Sequence, residues 1–289
     1  MGHDLRIVLL ALVTTAACSN GSGGGGEDLS LPTAQISAAN AVTATQVTMK
    51  TAFGLADAVA VVVEQLPGLT AGSAPGPQGG QVLRTFVDRD GDGAVSTGDE
   101  CTFAFAGYVD QGVTWNGAVR VDRIEVQGPL IDPYTSELDA HVEFIGIALS
   151  RGATVDLLGG ELRIRRENRL TVRLLGVDVD RPFSIGVKTL RPGTHVDRND
   201  FPLVYARAWS AKGTVESAGV AGSLAFDTEV PFAGSLFSQY PWSGMAEVLG
   251  RGSRITVKAI DYTSNLMVEV DADDDGEVEE TIDTTWADL

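Results

Sequence analysis

The stretch ELRIRRENRLTVRLLG, residues 161–176, decides the fold. Its apolar residues recur at every second position, which is the period of a β-strand with one buried face. The tetrapeptide Arg-Glu-Asn-Arg at 166–169 interrupts this alternation and is typical of a turn. The segment therefore predicts a β-hairpin in which two residues of the first strand face three of the second: Leu162 and Ile164 against Leu170, Val172 and Leu174.

The same period of two extends on both sides of this hairpin, from Gln81 to the C-terminal region. It is clear in CTFAFAGY (101–108), in VTWNGAVRVDRIEV (113–126), and in SRITVKAI (253–260) and NLMVEV (265–270), which the turn DYTS joins. Turn residues recur at short spacing, and no segment after residue 80 has the length and period of a core helix. We therefore predict a mainly β fold, an antiparallel meander that forms a sandwich, a barrel or a curved half-barrel.

One helix is predicted before the strands, in residues 33–66, where apolar side chains follow a helical period and alanines are frequent. Pro67-Gly68 ends it, and the Gly- and Pro-rich stretch 70–80 predicts a loop. A curved sheet closed by one apolar helix is similar in shape to the half-barrels of periplasmic lipid carriers, a likeness of fold alone. The alternative is that the helix fills the core.

The first 32 residues indicate export and anchoring. Residues 1–17 have a short polar start, an apolar run from Ile7 to Val13 and then small residues, as in a signal peptide. TTAAC, residues 14–18, resembles the lipobox of bacterial lipoproteins, and this resemblance implies lipidation of Cys18. Residues 18–32 then form the anchor and a Gly/Ser-rich tether, and 33–289 a single β-rich domain. By the same resemblance, Ser19 implies the outer membrane of the cell envelope.

The net charge of −18 restricts the partners of this chain. Such a charge repels nucleic acid and anionic lipid headgroups and attracts cations. We therefore expect no nucleic-acid partner, and contact with the membrane through the lipid anchor.

VDRDGDGAVSTGDE, residues 87–100, predicts a calcium-binding loop. Its twelve positions begin at Asp88, a glycine, Gly93, stands at position 6, and calcium loops of this length take ligands from positions 1, 3, 5, 7, 9 and 12. Oxygen ligands without His or Cys favour calcium over zinc or copper. The loop resembles those of dockerins and other extracellular calcium proteins that close with Asp. The alternative is a charged turn. The predicted ligands are Asp88, Asp90, Asp92, Ala94 through its carbonyl, Ser96 and Asp99.

A second acidic stretch, VDADDDGEVEETIDTTWADL (270–289), repeats the first half of this pattern. Asp271, Asp273 and Asp275 precede Gly276 in the same frame, but position 12 is Ile282, which cannot bind a metal. Glu279, Glu280 or Asp283 would have to complete the site. The stretch also resembles the C-termini of uncharacterised proteobacterial lipoproteins.

No sequence pattern of a known catalytic site is present, and we predict no enzymatic activity. His195, in GTHVDRND, is predicted to lie in a polar loop near Asp197 and Asp200, and Cys101, beside acidic residues, to have a raised pKa. The arginines of 163–173 form either a solvated face or a contact for an anionic partner. Our hypothesis is a calcium-binding, lipid-anchored envelope protein with a structural or binding role. The alternative is a carrier of a lipid or other hydrophobic ligand. The partner expected for this chain is either such a hydrophobic ligand or another protein of the envelope.

Overall fold

The computed structural model describes residues 31–130, 136–236, 240–260 and 262–289. In these ranges one helix precedes sixteen β-strands, which all belong to one antiparallel sheet. The strands are β1 Gly72–Pro75, β2 Gln81–Val87, β3 Glu100–Asp110, β4 Val113–Gln127, β5 Glu137–Arg151, β6 Thr154–Asn168, β7 Arg173–Val179, β8 Phe183–Ile185, β9 Lys188–Leu190, β10 Thr194–Phe201, β11 Ala206–Ser217, β12 Gly222–Ser235, β13 Ser243–Gly250, β14 Ser253–Ala259, β15 Asn265–Asp271 and β16 Glu280–Thr285.

The sheet is a meander, because nearly every strand pairs with the next one in the sequence. The exception is the short β8–β9 hairpin, which pairs with β6 and β11, so that β7 lies beside β10. Short 3-10 turns, Pro202–Val204 and Ala218–Val220, follow β10 and β11. The mainly β meander with one helix is thus confirmed. Among the described residues β1 does not pair with β16, so the sheet is open there.

The hairpin of residues 161–176 is present, but its turn lies later than the sequence predicted. Strand β6 continues to Asn168, and the turn is formed by residues 169–172. The cause is the side chain of Asn168, which is buried and donates to Ser136 Oγ at 2.8 Å, while its backbone N–H donates to the Ser136 carbonyl at 2.8 Å. These bonds hold residues 166–168 in the sheet rather than in the turn.

This shift also changes which residues of the second strand are buried, because side chains alternate between the two faces. Leu162 and Ile164 are buried as predicted. Their partners are not Leu170, Val172 and Leu174. Leu170 is 61 % exposed, and the buried apolar side chains of β7 are those of Leu175, Val177 and Val179, with Val177 directly opposite Ile164.

Helix α1, Ala41–Val63, lies where the sequence predicted a helix but begins later than residue 33. Its central turn, Gln46–Lys50, is π-helical. The preceding residues are taken up by contacts with the sheet: Thr33 N–H donates to the Ser223 carbonyl at 3.1 Å, and Ile36 N–H donates to Ser253 Oγ at 2.8 Å. These bonds satisfy backbone groups that a longer helix would use internally.

The sheet curves around α1, so that its two ends both contact the helical segment. Phe53 packs against Trp209 and Phe232 of the central strands and Trp286 after β16, with ring centroids 6.1, 5.4 and 6.4 Å away. From β2, Arg84 donates to Gln65 Oε1 at 2.8 Å. By length and composition α1 could cross a bilayer, but 72 % of its apolar window is buried by the rest of the protein. Helix α1 therefore fills the concave face of the sheet, as a core helix does.

Two predicted loops are wrong, and the predictions for the N-terminal region concern residues that the structure does not describe. The stretch 70–80 contains a short strand, β1, which pairs with β2. GTHVDRND is not a loop, because Thr194–Phe201 forms β10 between β7 and β11. Cys18, the signal peptide and the tether up to residue 30 lie outside the described residues.

Candidate metal sites

The two acidic stretches are both hairpin loops, and they lie at opposite ends of the strands of the sheet. Residues 88–99 join β2 to β3, and residues 272–279 join β15 to β16. Successive turns of an antiparallel meander alternate between the two ends of its strands. Ten such turns lie between the two loops if the whole β7–β10 connection is counted as one. The second loop is therefore the eleventh turn after the first, and the two loops lie at different ends of the strands. They are therefore two separate candidate sites.

The first loop brings three of its acids together. Carboxylate oxygens of Asp88, Asp90 and Asp99 lie within 4.8 Å of one another. Ser96 Oγ donates to Asp90 Oδ2 at 3.0 Å and to Asp99 Oδ2 at 3.1 Å, so it lies beside the same group. The predicted ligand Asp92 is not part of this cluster; its Oδ1 accepts the N–H of Ala94 at 2.7 Å.

Backbone N–H groups orient these carboxylates. Asp88 accepts the N–H of Gly91 at 2.6 Å and of Gly93 at 2.8 Å, and the bond from Gly93 is the largest cause of its lowered pKa. Gly93 has φ 78°, a left-handed conformation that glycine adopts without strain. Asp99 is fully buried and accepts the N–H groups of Arg89 at 2.8 Å and Ser96 at 2.7 Å. The ends of the loop are thus held closed by its own carboxylates.

The first loop is also fixed to the body of the protein. Val95, between the predicted ligands Ala94 and Ser96, is buried in the main hydrophobic core. Gly98 N–H donates to the carbonyl of Ile124 at 2.8 Å, and Thr97 Oγ1 accepts the N–H of Val126 at 2.9 Å. Strand β4 therefore supports this loop from one side.

The second loop brings together four acids: Asp271, Asp273, Asp275 and Glu279, with ligand oxygens within 4.8 Å of one another. Of the three residues considered for closing the site, Glu279 is the one that joins the cluster. Glu280 and Asp283 belong to β16, where they stand opposite Val270 and Met267. In the sequence frame Glu279 stands at position 9, a ligand position, whereas the frame looks for the closing acid at position 12.

The two loops have the same pattern of backbone hydrogen bonds when Asp88 and Asp271 are both numbered as position 1. The first acid accepts the N–H of the position-6 glycine, in the second loop Gly276 at 3.0 Å with φ 92°. The position-5 acid accepts the N–H of position 7 in both loops. The closing acid accepts the N–H of position 2, at 2.8 Å in the first loop and 2.6 Å in the second. Position 4 is left-handed in both, as Gly91 (φ 75°) and Asp274 (φ 60°).

An arginine distinguishes the second loop from the first. Arg254 of β14 stands opposite Asp271, with Nη2 3.1 Å from Asp271 Oδ2 and 3.5 Å from Asp274 Oδ1. Desolvation raises the pKa of Asp271, but the hydrogen bonds of Arg254 and of backbone N–H groups outweigh it, and the pKa is lowered. The second cluster therefore already has one positive charge beside it. Sequence reasoning missed Arg254 because strand pairing, not sequence distance, makes it a neighbour.

The cysteine and histidine near acidic residues have structural surroundings. Cys101 is buried in β3, and desolvation, with Asp99 nearby, raises its pKa to about 12, as predicted. His195 Nδ1 lies 2.6 Å from Asp178 and Nε2 lies 3.0 Å from Asp197. The expected neighbour Asp200 is absent from this group, because strand alternation places it on the other face of β10.

Most arginines of the basic run belong to a solvated, paired face. Arg163 pairs with Asp139 at 2.7 Å, Arg165 with Asp178 at 3.4 Å, and Arg169 with Glu137 and Glu167 at 3.1 and 3.0 Å.

Comparison of the whole chain with protein-family models, curated proteins and solved structures gives no match.

Proposed function

We propose that this protein binds calcium at two sites, one at each end of the strands of its sheet. We also propose that it is a lipid-anchored protein of the cell envelope with a structural or binding role. The observation that carries the calcium proposal is the convergence of carboxylates in both loops, each with the same pattern of backbone hydrogen bonds. Acids held this close repel one another, and a divalent cation among them removes that repulsion.

The chemistry of the two clusters suits calcium better than other biological metals. All candidate ligand atoms are oxygens, which calcium prefers, whereas zinc and copper favour nitrogen and sulfur. Calcium accepts six to eight oxygens in variable geometry, so Ser96, backbone carbonyls and water can complete a shell begun by three or four acids. Magnesium requires a nearly ideal octahedron, which irregular hairpin loops provide poorly.

The anchor proposal rests on Cys18 and its lipobox-like context. Residues 19–31 give a tether of thirteen residues, with a maximum reach of about 45 Å when fully extended. The chain then docks at Thr33 and Ile36 against β12 and the start of β14. The starts of β12 and β14 lie at the same end of the strands as the second acidic loop. In an anchored protein the tether therefore begins at that end of the domain.

The carrier alternative has less support from the described residues. A carrier of this shape needs open apolar space on the concave face of its sheet. Here α1 fills that face, and Phe53 packs there against Trp209, Phe232 and Trp286.

Calorimetric titration with calcium tests the proposal directly. We expect two binding events for the domain of residues 33–289 and at most weak heat with magnesium. Asp90→Asn should remove one event and Asp273→Asn the other. Glu125→Gln is the matched control, since it removes one exposed acid of β4 outside both loops. The absence of calcium binding by the unaltered domain, or equal loss in the control, would contradict the proposal.

A further inference from the structure

A cleft on the inner face of the sheet contains arginines that do not follow the pairing seen elsewhere. It lies between the last turn of α1 and the ends of β6, β7 and β10, with a cavity volume of about 40 Å³. Its charged residues are Arg166, Arg173, Arg198, Glu64 and Asp200, and its apolar wall comes from α1 and β7. The lining therefore has a net charge of +1, three arginines minus two acids, in a chain whose net charge is −18.

Arg166 points inwards, unlike Arg163 and Arg165 on the same strand. It stands opposite Leu138 and Leu175, both buried, and so shares the core face of the sheet. Its Nε donates to Asn168 Oδ1 at 3.2 Å. Its Nη1 is shielded from solvent and has no hydrogen-bond partner. A buried charged donor without an acceptor is unfavourable, and such groups in proteins generally have a partner.

Arg173 enlarges this unpaired charge. Its side chain is exposed and makes no ion pair or hydrogen bond with another described residue, and its positive charge lowers the pKa of Arg166 further, after the larger effect of desolvation. Arg198, by contrast, is satisfied: Nη1 lies 3.1 Å from Asp57 and Nη2 3.2 Å from Asp200. Among the described residues neither Arg166 nor Arg173 forms an ion pair, and two such guanidinium groups whose charges interact form an arrangement that an anion stabilises.

Capping of the helix does not explain these arginines. The carbonyls of the last turn of α1 already accept backbone N–H groups: Ala60 from Glu64 at 2.9 Å, Val62 from Gln65 at 3.0 Å, and Val63 from Leu66 at 3.2 Å. Neither Arg166 nor Arg173 donates to them. The unpaired donors therefore face the cleft rather than the helix end.

We propose that this cleft binds a small oxyanion, a carboxylate or phosphate group, through Arg166 and Arg173. Guanidinium groups present donors in pairs that match the oxygens of both anions. Asn168, itself held by Ser136, fixes the plane of the Arg166 guanidinium before the anion arrives. A cavity of about 40 Å³ has room for one small anion of this kind in place of a few water molecules, and the apolar wall from α1 and β7 offers contact to a short apolar substituent.

Titration followed by NMR of the arginine side chains tests this proposal, in buffer from which a chelating resin has removed calcium. The probes are inorganic phosphate, butyrate and monomeric dihexanoyl phosphatidic acid. We expect shifts at Arg166 and Arg173 with phosphate or butyrate, and a dissociation constant of about 10⁻⁴ to 10⁻³ M for a site of two arginines. Tighter binding of the phosphatidic acid, with the same arginine dependence, identifies a lipid headgroup as the source; equal affinity identifies a free anion.

Variants separate a specific site from general attraction of anions. Arg166→Gln and Arg173→Gln should each weaken binding about tenfold, and Arg166→Lys should weaken it less. Glu64→Gln should strengthen binding because it removes a negative charge from the cleft. Arg165→Gln is the matched control, as it lies next in sequence but on the outer face. Absence of binding of both small anions, or equal weakening in the control, overturns the proposal. Because calcium is absent, this result does not depend on the metal sites.

Discussion

Calcium should raise the melting temperature of this protein, and Asp99→Asn should remove the part of that increase that comes from the first loop. Sites in extracellular modules have dissociation constants of about 10⁻⁴ to 10⁻³ M. At about 10 mM calcium, linkage to a site of this affinity adds about 1.4 to 2.7 kcal/mol to the free energy of unfolding. For a folded domain of roughly 250 residues, 1 kcal/mol corresponds to about 2 °C, so the expected increase is about 3 to 5 °C.

Asp99 is the most informative position because it is fully buried and closes the loop. Its two oxygens accept the N–H groups of Arg89 at 2.8 Å and Ser96 at 2.7 Å. Asparagine has one acceptor oxygen fewer, so one of these donors loses its bond, at a cost of about 1 to 3 kcal/mol without calcium. The response to calcium, not the absolute stability, therefore measures the lost ligand.

Differential scanning calorimetry of four proteins is the assay: the unaltered domain, Asp99→Asn, Glu279→Gln and the control Glu125→Gln. We expect each loop variant to lose part of the calcium-dependent increase and the control to retain it. Magnesium at the same concentration should give a smaller increase. If calcium at about 10 mM leaves the melting temperature of the unaltered domain unchanged, where linkage requires at least about 1.4 kcal/mol, the loops are charged turns and not calcium sites.

Three further predictions concern other parts of the molecule. Hydrogen bonds that His195 donates to Asp178 and then Asp197 raise its pKa from 6.5 to about 10, so the stability it contributes is complete below pH 6.5 and is lost as the pH rises towards 10. Urea unfolding of His195→Gln should lack this loss, and an NMR pKa near 6.5 would contradict the prediction. Arg254→Gln should strengthen calcium binding by the second loop about two- to fivefold in calorimetry, since it removes a competing positive charge, and unchanged affinity would show that Arg254 does not compete. Cys18→Ser should abolish labelling by a palmitate analogue and partitioning into detergent, and persistent labelling would refute lipidation at this residue.

The fold could be predicted from the sequence because its signals are local. Alternation in 113–126, 161–165 and 253–270 identified strands, and the alanine-rich stretch before Pro67 identified the helix. The register of β6 and β7 could not be predicted, because it depends on Asn168 bonding to Ser136, 32 residues earlier. The start of α1 at Ala41 similarly depends on contacts of residues 33–36 with Ser223 and Ser253.

The candidate sites were predictable to the extent that they lie within one loop. The first loop could be identified by its spacing alone, apart from Asp92, whose carboxylate accepts the N–H of Ala94 instead of joining the cluster. Residues that become neighbours through strand pairing were missed. Arg254 meets Asp271 across β14 and β15, and Asp178 meets His195 across β7 and β10. The inward direction of Arg166 follows from the register that the sequence did not fix.

The two acidic loops differ in how they are held without a cation, and this difference has a consequence for calcium dependence. In the first loop, Val95 and the buried Asp99 fix the cluster to the core, and no arginine of the described residues forms an ion pair with the converging acids. The repulsion there has no internal counter-charge, because Arg89 pairs outside the cluster with Glu100. In the second loop Arg254 supplies that counter-charge. Calcium should therefore stabilise the edge of the sheet at β2 and β3 more than the edge at β15 and β16.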